Sequence, residues 1–383
     1  METTARFATE PVTRWGPAEF DQLLLWSMSG GASDVKLSPN GPVWNRRNGA
    51  WLPVSRRPLR SEEIEQMLVH LANNPSSVQV VRDRRDYDFA YEVRVSESDR
   101  RRFRGNATSV RDGYISGIEV TLRAIQSTPP TVADIKFPAE LIEPATPNNG
   151  LVLVTGVMGS GKSTTLAALL RHINETSPRA IATYEEPVEY ILTGLQNAMG
   201  PVAQTEIPKD LASFSLAARN ATRRAEDVIL VGESRDPETL STMIEVAEIG
   251  SAVYSTVHTR SVAATPLRII NVFPADRQNQ IAASLISALR LIIQQRLVPG
   301  IDPQTGQRSG RIALREFLEF DTAMRETLII CPINTLVPEI EKRVFSYGHP
   351  LVKDAQVYYE QGRLSEEEFR KIEREYRRKT DVA

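Results

Sequence analysis

At 383 residues the chain is long enough for two domains, and 41 % apolar with 25 % charged residues suits packed cores rather than disorder. A formal charge of −2, from 46 basic and 48 acidic side chains, excludes a nucleic-acid sleeve over the whole molecule. One cysteine, Cys331, excludes an internal disulfide framework and a cysteine-rich zinc site. The polar opening METTARFATE has no secretory core, and the longest apolar run, Ile281 to Ile293, is interrupted by Arg290. The expectation is a cytoplasmic chain without a membrane span.

The first half reads α+β. Phe20, Leu23, Leu24 and Met28 recur at helical spacing before Gly30-Gly31, which predicts a helix and its stop. Val43-Trp44 and Trp51-Leu52 flank Asn48-Gly49, whose tolerance of positive φ predicts a tight hairpin. Ser61, followed by Glu62 and Glu63, opens a helix with Ile64, Met67, Leu68 and Leu71 on its apolar side. Strand-like runs at 87–95, 102–110 and 114–124 predict an antiparallel sheet. The half holds 17 arginines, two lysines (Lys36 and Lys136) and 19 acids. Its arginine-dense stretch from Arg82 to Arg104 reads either as a solvated, ion-paired face or as a surface for phosphates or a neighbouring subunit.

Five prolines crowd residues 126–150, which predicts a stiff, irregular connector. The expected organisation is therefore an N-terminal domain at 1–125, a proline-rich linker at 126–150 and a second domain at 151–383. In that second half, apolar runs at Leu151–Thr155, Ala180–Tyr184, Val228–Val231 and Val253–Val257 alternate with helical lengths, as in a parallel sheet covered on both faces. A charged tail follows from Ala355; Ser365 and Glu368 make a capping box before Phe369, Ile372 and Tyr376, and a surface helix pair is expected.

The strongest signal is Gly156-Val157-Met158-Gly159-Ser160-Gly161-Lys162-Ser163, a complete G-x-x-x-x-G-K-[ST] motif followed by Thr164. It stands after an apolar strand and before a helix, so backbone N–H groups and the helix N-terminus would meet phosphate. Lys162 would reach the β- and γ-phosphates, and the Ser163 hydroxyl would ligate Mg²⁺. Val228 to Glu233 reads as an apolar strand ending in an acid, a Walker B arrangement. Glu185-Glu186-Pro187-Val188-Glu189 puts three carboxylates at another strand end, consistent with a cation site or with a solvated loop. His258 follows a third strand. All four elements fall on the carboxyl edge of the sheet, where ligands bind in open α/β folds.

In order and spacing these elements resemble the secretion and pilus-motor ATPase superfamily (PilT/GspE-like). Gly156–Thr164 is similar to its Walker A, Tyr184–Tyr190 to its Asp box, Val228–Glu233 with Ser234-Arg235-Asp236 to its Walker B, and Gly250–Arg260 to its His box. Residues 32–38 and 102–107 resemble its PAS-like N-terminal domain. The opening, Trp15 to Trp26, is similar to the subfamily serving type IVB (Dot/Icm-like) secretion and conjugation. The resemblance implies a RecA-like P-loop ATPase core with a parallel sheet, in an α/β fold, plus an α+β PAS-like N-terminal domain.

It also implies ATP and Mg²⁺ and assigns roles. Glu189 would orient the attacking water, and Glu233 would hold Mg²⁺ through water. His258 would sense the γ-phosphate. Arg104 and Arg123, with Arg111 as a further candidate, would close on the phosphates as arginine fingers, while Arg235 would pack between subunits. Two positions depart from the family pattern: Glu186 stands where the Asp box has Asp, and Ser251 where the His box has its first histidine. The implied assembly is a homohexamer recruited peripherally to the inner membrane, working with inner-membrane and cytoplasmic machine components, among them another ATPase. Nucleic acid is not expected as a partner. A type IV pilus retraction motor is the alternative, and a nucleotide-bound, non-hydrolysing scaffold is the alternative of another class.

Overall fold

The computed structural model describes residues 6–11, 14–47, 50–96, 100–112, 115–125, 128–221, 223–224, 226–232 and 236–380. Two compact units result, Met1–Ser127 and Thr128–Ala383.

The first unit is a six-stranded antiparallel sheet. Its strands are β1 (Asp34–Leu37), β2 (Val43–Arg47), β3 (Ala50–Pro53), β4 (Tyr87–Arg94), β5 (Arg100–Asp112) and β6 (Ile115–Ile125), in the order β3-β2-β1-β6-β5-β4. Alternation decides which face is covered. Phe103 and Ala107 of β5 and Ile118, Val120 and Leu122 of β6 are buried, packed with Phe20, Leu23 and Leu24 of the helix Pro17–Ser29 and Ile64, Leu68 and Leu71 of the helix Ser61–Ala72. The intervening residues, including Arg104 and Arg123, take the opposite face.

The expected antiparallel sheet is thus present, with β5 reaching further than the apolar run suggested. The hairpin residues Asn48 and Gly49 lie outside the described residues, and the register beside them pairs Arg47 with Ala50. Ser61 does not cap its helix. Arg60 holds the N-cap position, and its backbone N–H donates to the Glu63 carboxylate at 3.0 Å.

The second unit carries a seven-stranded sheet. Its strands are β7 (Gly150–Thr155), β8 (Ile181–Glu185), β9 (Val202–Glu206), β10 (Val228–Val231), β11 (Ala252–Val257), β12 (Leu289–Ile301) and β13 (Arg308–Glu319), in the order β13-β12-β7-β11-β10-β8-β9. Every pairing is parallel except β12 with β13. Both faces are covered, which explains the unbroken apolar runs. Leu151 and Leu153 join a cluster with Leu240, Met243 and Ile244, while Val152 and Val154 join one with Leu166, Leu169 and Ile173 on the other side.

Three strands escape sequence patterning. β9 mixes polar and apolar residues, and β12 and β13 form a long antiparallel hairpin. The apolar run from Ile281 breaks at Ala288, with a helix before it and β12 after it.

One expectation needs correcting. From Thr128 onward the proline-rich stretch is part of this unit, with Phe137, Leu141 and Ala145 buried and the Tyr254 hydroxyl donating to the Ala145 carbonyl at 2.8 Å. The tail helices Leu351–Glu360 and Glu366–Thr380 form the expected surface pair, seated on the β12–β13 hairpin. Ala355, Leu364 and Ile372 pack on Val298, Ile312 and Leu314 of the hairpin. Ser365 does cap as expected, its hydroxyl accepting the Glu368 N–H at 3.2 Å. No helix among the described residues is long and apolar enough to cross a membrane.

Candidate nucleotide site

β7 runs fully buried into Gly156, and the loop that follows turns into the helix Lys162–Thr176. Gly156, Gly159 and Gly161 have φ of 146°, 75° and 85°, values that side chains resist. Space adds a second constraint: a Cβ on Gly156 would stand 2.4 Å from the Gln295 carbonyl oxygen. Lys162 is buried, and its ammonium donates to the Gly156 and Val157 carbonyls at 3.0 and 3.1 Å, folding back over the loop's own entrance. Ser160 is buried as well, whereas Val157, Met158, Gly159 and Ser163 are exposed and Thr164 is partly covered. The Thr164 hydroxyl meets the Tyr190 hydroxyl at 2.9 Å.

A small cleft opens beside the loop, lined by Ser163, Glu185, Tyr190, Gly232 and Thr256 among others. It collects the carboxyl ends of β8, β10 and β11, the edge expected for ligands. Among the described residues, Glu185 is the acid that lines it. Burial pushes this carboxyl up to about 7; the Thr183 hydroxyl, donating at 2.7 Å, pulls the other way, and the Glu189 charge adds to the rise. Glu189 is half-buried and Glu186 exposed, so the three neighbouring carboxylates meet different surroundings. Gln204 of β9 pins this loop, accepting the Leu192 N–H and donating to the Tyr190 carbonyl, both at 2.8 Å.

β11 delivers His258 to the same edge. Its neighbour Val257 accepts the Gly156 N–H at 3.3 Å, which ties the phosphate loop to the His258 strand end. His258 itself is exposed. Ser251 is at the opposite end of β11, its hydroxyl donating to the Glu226 carbonyl at 2.8 Å. Glu233, Ser234 and Arg235 lie outside the described residues; Gly232, just before them, lines the cleft.

In the first unit, Arg104 and Arg123 are directly opposite each other on β5 and β6. Like charges across a strand pair repel. One buried carboxylate, Asp34, partly answers them by accepting from the Arg123 guanidinium at 2.9 Å. Arg111 is exposed near the far end of β5. Elsewhere in the arginine-dense stretch, Arg82 pairs with Glu65 and Arg100 with Glu92, as on an ion-paired face.

Sequence reasoning noted Glu185 within the acidic strand end without giving it a role, and passed over Gln295 and Arg315. Glu185 ends an apolar strand run just as Glu233 does, and that parallel was a usable signal. Gln294-Gln295-Arg296 interrupts the apolar run of β12, which marks a buried polar purpose.

A glycine loop between a buried parallel strand and a helix, with lysine and serine at its exit and a carboxylate cleft beside it, defines a P-loop ATPase. The chain belongs to the Type II/IV secretion system protein family, whose pattern it matches over residues 89–378. Among solved structures it is similar to the Legionella pneumophila ATPase DotB, at 34 % identity and a TM-score of 0.82 over 96 % of this chain and 98 % of that one. It is also similar to the pilus retraction motor PilT solved with bound ADP, at 30 % identity and a TM-score of 0.76 over 92 % and 96 %. Among curated proteins, the type IV pilus retraction ATPase PilT of Pseudomonas aeruginosa is 33 % identical over 81 % of this chain and 85 % of its own length.

Proposed function

We propose that this chain is an ATP-driven motor of a type IVB (Dot/Icm-like) secretion or plasmid conjugation machine, acting as a homohexamer on the cytoplasmic side of the inner membrane beside another ATPase. The observation that carries the motor reading is the junction of the phosphate loop with the carboxylate cleft, since binding needs the first and hydrolysis the second. The type IVB assignment draws support from the likeness to DotB over nearly the whole of both chains.

ATP is the substrate. Loop N–H groups from Gly156 to Thr164 cradle its phosphates, and Lys162 leaves its resting carbonyl partners to meet the terminal ones. Mg²⁺ fits the donors present, because the Ser163 hydroxyl and a carboxyl edge supply the hard oxygens it prefers, and Glu233 is proposed to hold it through water. When bound it offsets charge on the phosphate oxygens. Glu189 orients the attacking water and His258 senses the terminal phosphate. Arg104 and Arg123, crowded together with one carboxylate, act as the arginine fingers. The first unit is read as the PAS-like domain, moving about the boundary between Ser127 and Thr128.

Pilus retraction is a second reading, and a specific observation favours it: the curated relatives include the type IV pilus ATPase PilU and the type IV pilus retraction ATPase PilT of Pseudomonas aeruginosa, 34 % and 33 % identical to this chain. Steady-state phosphate release tests the chemistry, with Glu189→Gln as the blank. Arg104→Ala and Arg123→Ala proteins should bind ATP and lose turnover; unchanged turnover in both removes the finger roles. A chain that binds ATP but releases no phosphate is a scaffold. Capture from the native host with Glu189→Gln separates the machines: secretion or conjugation core proteins support the first reading, a pilus platform protein the second.

A further inference from the structure

The Gln295 side chain makes two hydrogen bonds at the phosphate loop and the helix that follows it, and the residue closes the space beside two of the loop's glycines. On β12 it lies one residue beyond the Gln294–Thr155 pair, opposite the start of the loop. Its carbonyl oxygen crowds Gly156, and its amide nitrogen lies 2.8 Å from where a Cβ on Gly161 would be. The same amide donates to the Ser160 carbonyl at 2.6 Å, and its oxygen accepts the Thr165 hydroxyl at 2.8 Å. Two donors face the amide oxygen and one carbonyl faces the nitrogen, so the side chain has a single satisfied orientation.

The second donor is Arg315, the cross-strand partner of Gln295 on β13, with Nε at 3.2 Å. Arg315 is 1 % exposed, and burial lowers its pKa. Its two terminal nitrogens donate to the Lys136 and Ile135 carbonyls, each at 3.1 Å, and its guanidinium lies over the Phe137 ring at 5.3 Å. A buried guanidinium held by carbonyls and an amide is costly to keep for packing alone. The fork fixes three groups at once, which an ammonium does not.

We infer that Gln295, oriented by Arg315, is a positioning residue that holds the phosphate loop in its anion-accepting shape and ties that shape to residues 135–137. The inference rests on the nucleotide reading above. The Ser160 hydroxyl is buried without a partner, so the grip on Ser160 is through its carbonyl.

Full-length Gln295→Met, Gln295→Glu and Arg315→Lys proteins test it. Glutamate keeps the acceptor for Thr165 and Arg315, removes the donor to Ser160 and adds a negative charge beside the loop. This variant is therefore judged on exchange without nucleotide, where a packing role would be rescued, and not on ADP affinity. The measurements are amide exchange without nucleotide, binding of fluorescent ADP, and the split of phosphate-release kinetics into KM and kcat.

Both Gln295 variants should speed exchange in residues 156–165 at least tenfold while β12 and β13 stay protected. Gln295→Met should weaken ADP about tenfold and raise KM more than it lowers kcat. Arg315→Lys should shift the same quantities about threefold. Three results overturn the inference: unchanged loop exchange, rescue by Gln295→Glu, or equal loss of protection in β12 and β13. Wild-type behaviour of Arg315→Lys removes the arginine from it. If the wild type binds no ADP and Lys162→Ala changes nothing, the nucleotide reading has failed, and the exchange arm still decides whether Gln295 holds the loop.

Discussion

Replacing Glu185 by glutamine should reverse part of the second unit's pH dependence. The carboxyl lines the cleft beside Ser163, and burial raises it from the ordinary 4.5 to about 7. Between those values the folded chain keeps a proton that the unfolded chain has released, so stability falls as pH rises through the window and levels off above it. The full displacement corresponds to roughly 3 kcal/mol. Glutamine keeps the acceptor for the Thr183 hydroxyl and has nothing to titrate, so the variant should gain up to that amount on the wild type between pH 4 and pH 8.

Urea unfolding read by amide exchange in residues 181–190 measures the difference for this unit. An internal control is built in: Trp15, Trp26, Trp44 and Trp51 are all of the chain's tryptophans, and all lie in the first unit. Their fluorescence should show no difference between the two proteins. Parallel pH profiles in the 181–190 region would refute the claim that the cleft suppresses ionisation there.

The first unit should show the opposite sign. Burial alone would raise Glu63, but two bonds from Arg57 at 2.8 Å and the Arg60 and Trp15 N–H groups bring it down to about 2. Its stabilising contribution is therefore complete above pH 4.5 and lost as pH falls towards 2, and Glu63→Gln should lower tryptophan-monitored stability by roughly 2–3 kcal/mol at neutral pH and by little at pH 2. Gly161→Ala forces a side chain into φ of 85° and 2.8 Å from the Gln295 amide; ADP affinity by calorimetry should drop, with a conformational cost of about 1–2 kcal/mol.

How much of this was legible in the sequence follows from how local each signal is. The phosphate loop is contiguous, and its glycines, lysine and serine have roles set by backbone geometry alone, so the motif could be read directly. The four central parallel strands were legible because covering both faces makes them uniformly apolar. β9 and the β12–β13 hairpin were not: their residues alternate between cover and polar duty, and the second strand of a hairpin declares itself only through its partner. The prolines at 126–150 signalled irregular backbone correctly, but Phe137, Leu141 and Ala145 were too widely spaced to show that this backbone packs. Arg315 was illegible for a stronger reason. An arginine in a strand reads as solvent-facing until its carbonyl partners, some 180 residues earlier at Ile135 and Lys136, come into view.

The acidic strand end shows why motif order alone is an uncertain guide to chemistry. Glu185, Glu186 and Glu189 come from five consecutive residues, yet one lines the cleft, one is exposed and one is half-buried. A general base works best with a proton affinity near the working pH, and the Glu185 carboxyl has been moved to about 7 by its surroundings. Resemblance points to Glu189 and environment points to Glu185, and the two assignments predict different pH–rate curves. If Glu185 carries the titration, phosphate release should bend near pH 7 in the wild type and in Glu189→Asp, and the bend should vanish in Glu185→Gln. If Glu189 is the base instead, Glu185→Gln should keep turnover and leave the curve in place, while Glu189→Asp should change it. A bend unmoved by either substitution would take the rate-determining proton away from this strand end altogether.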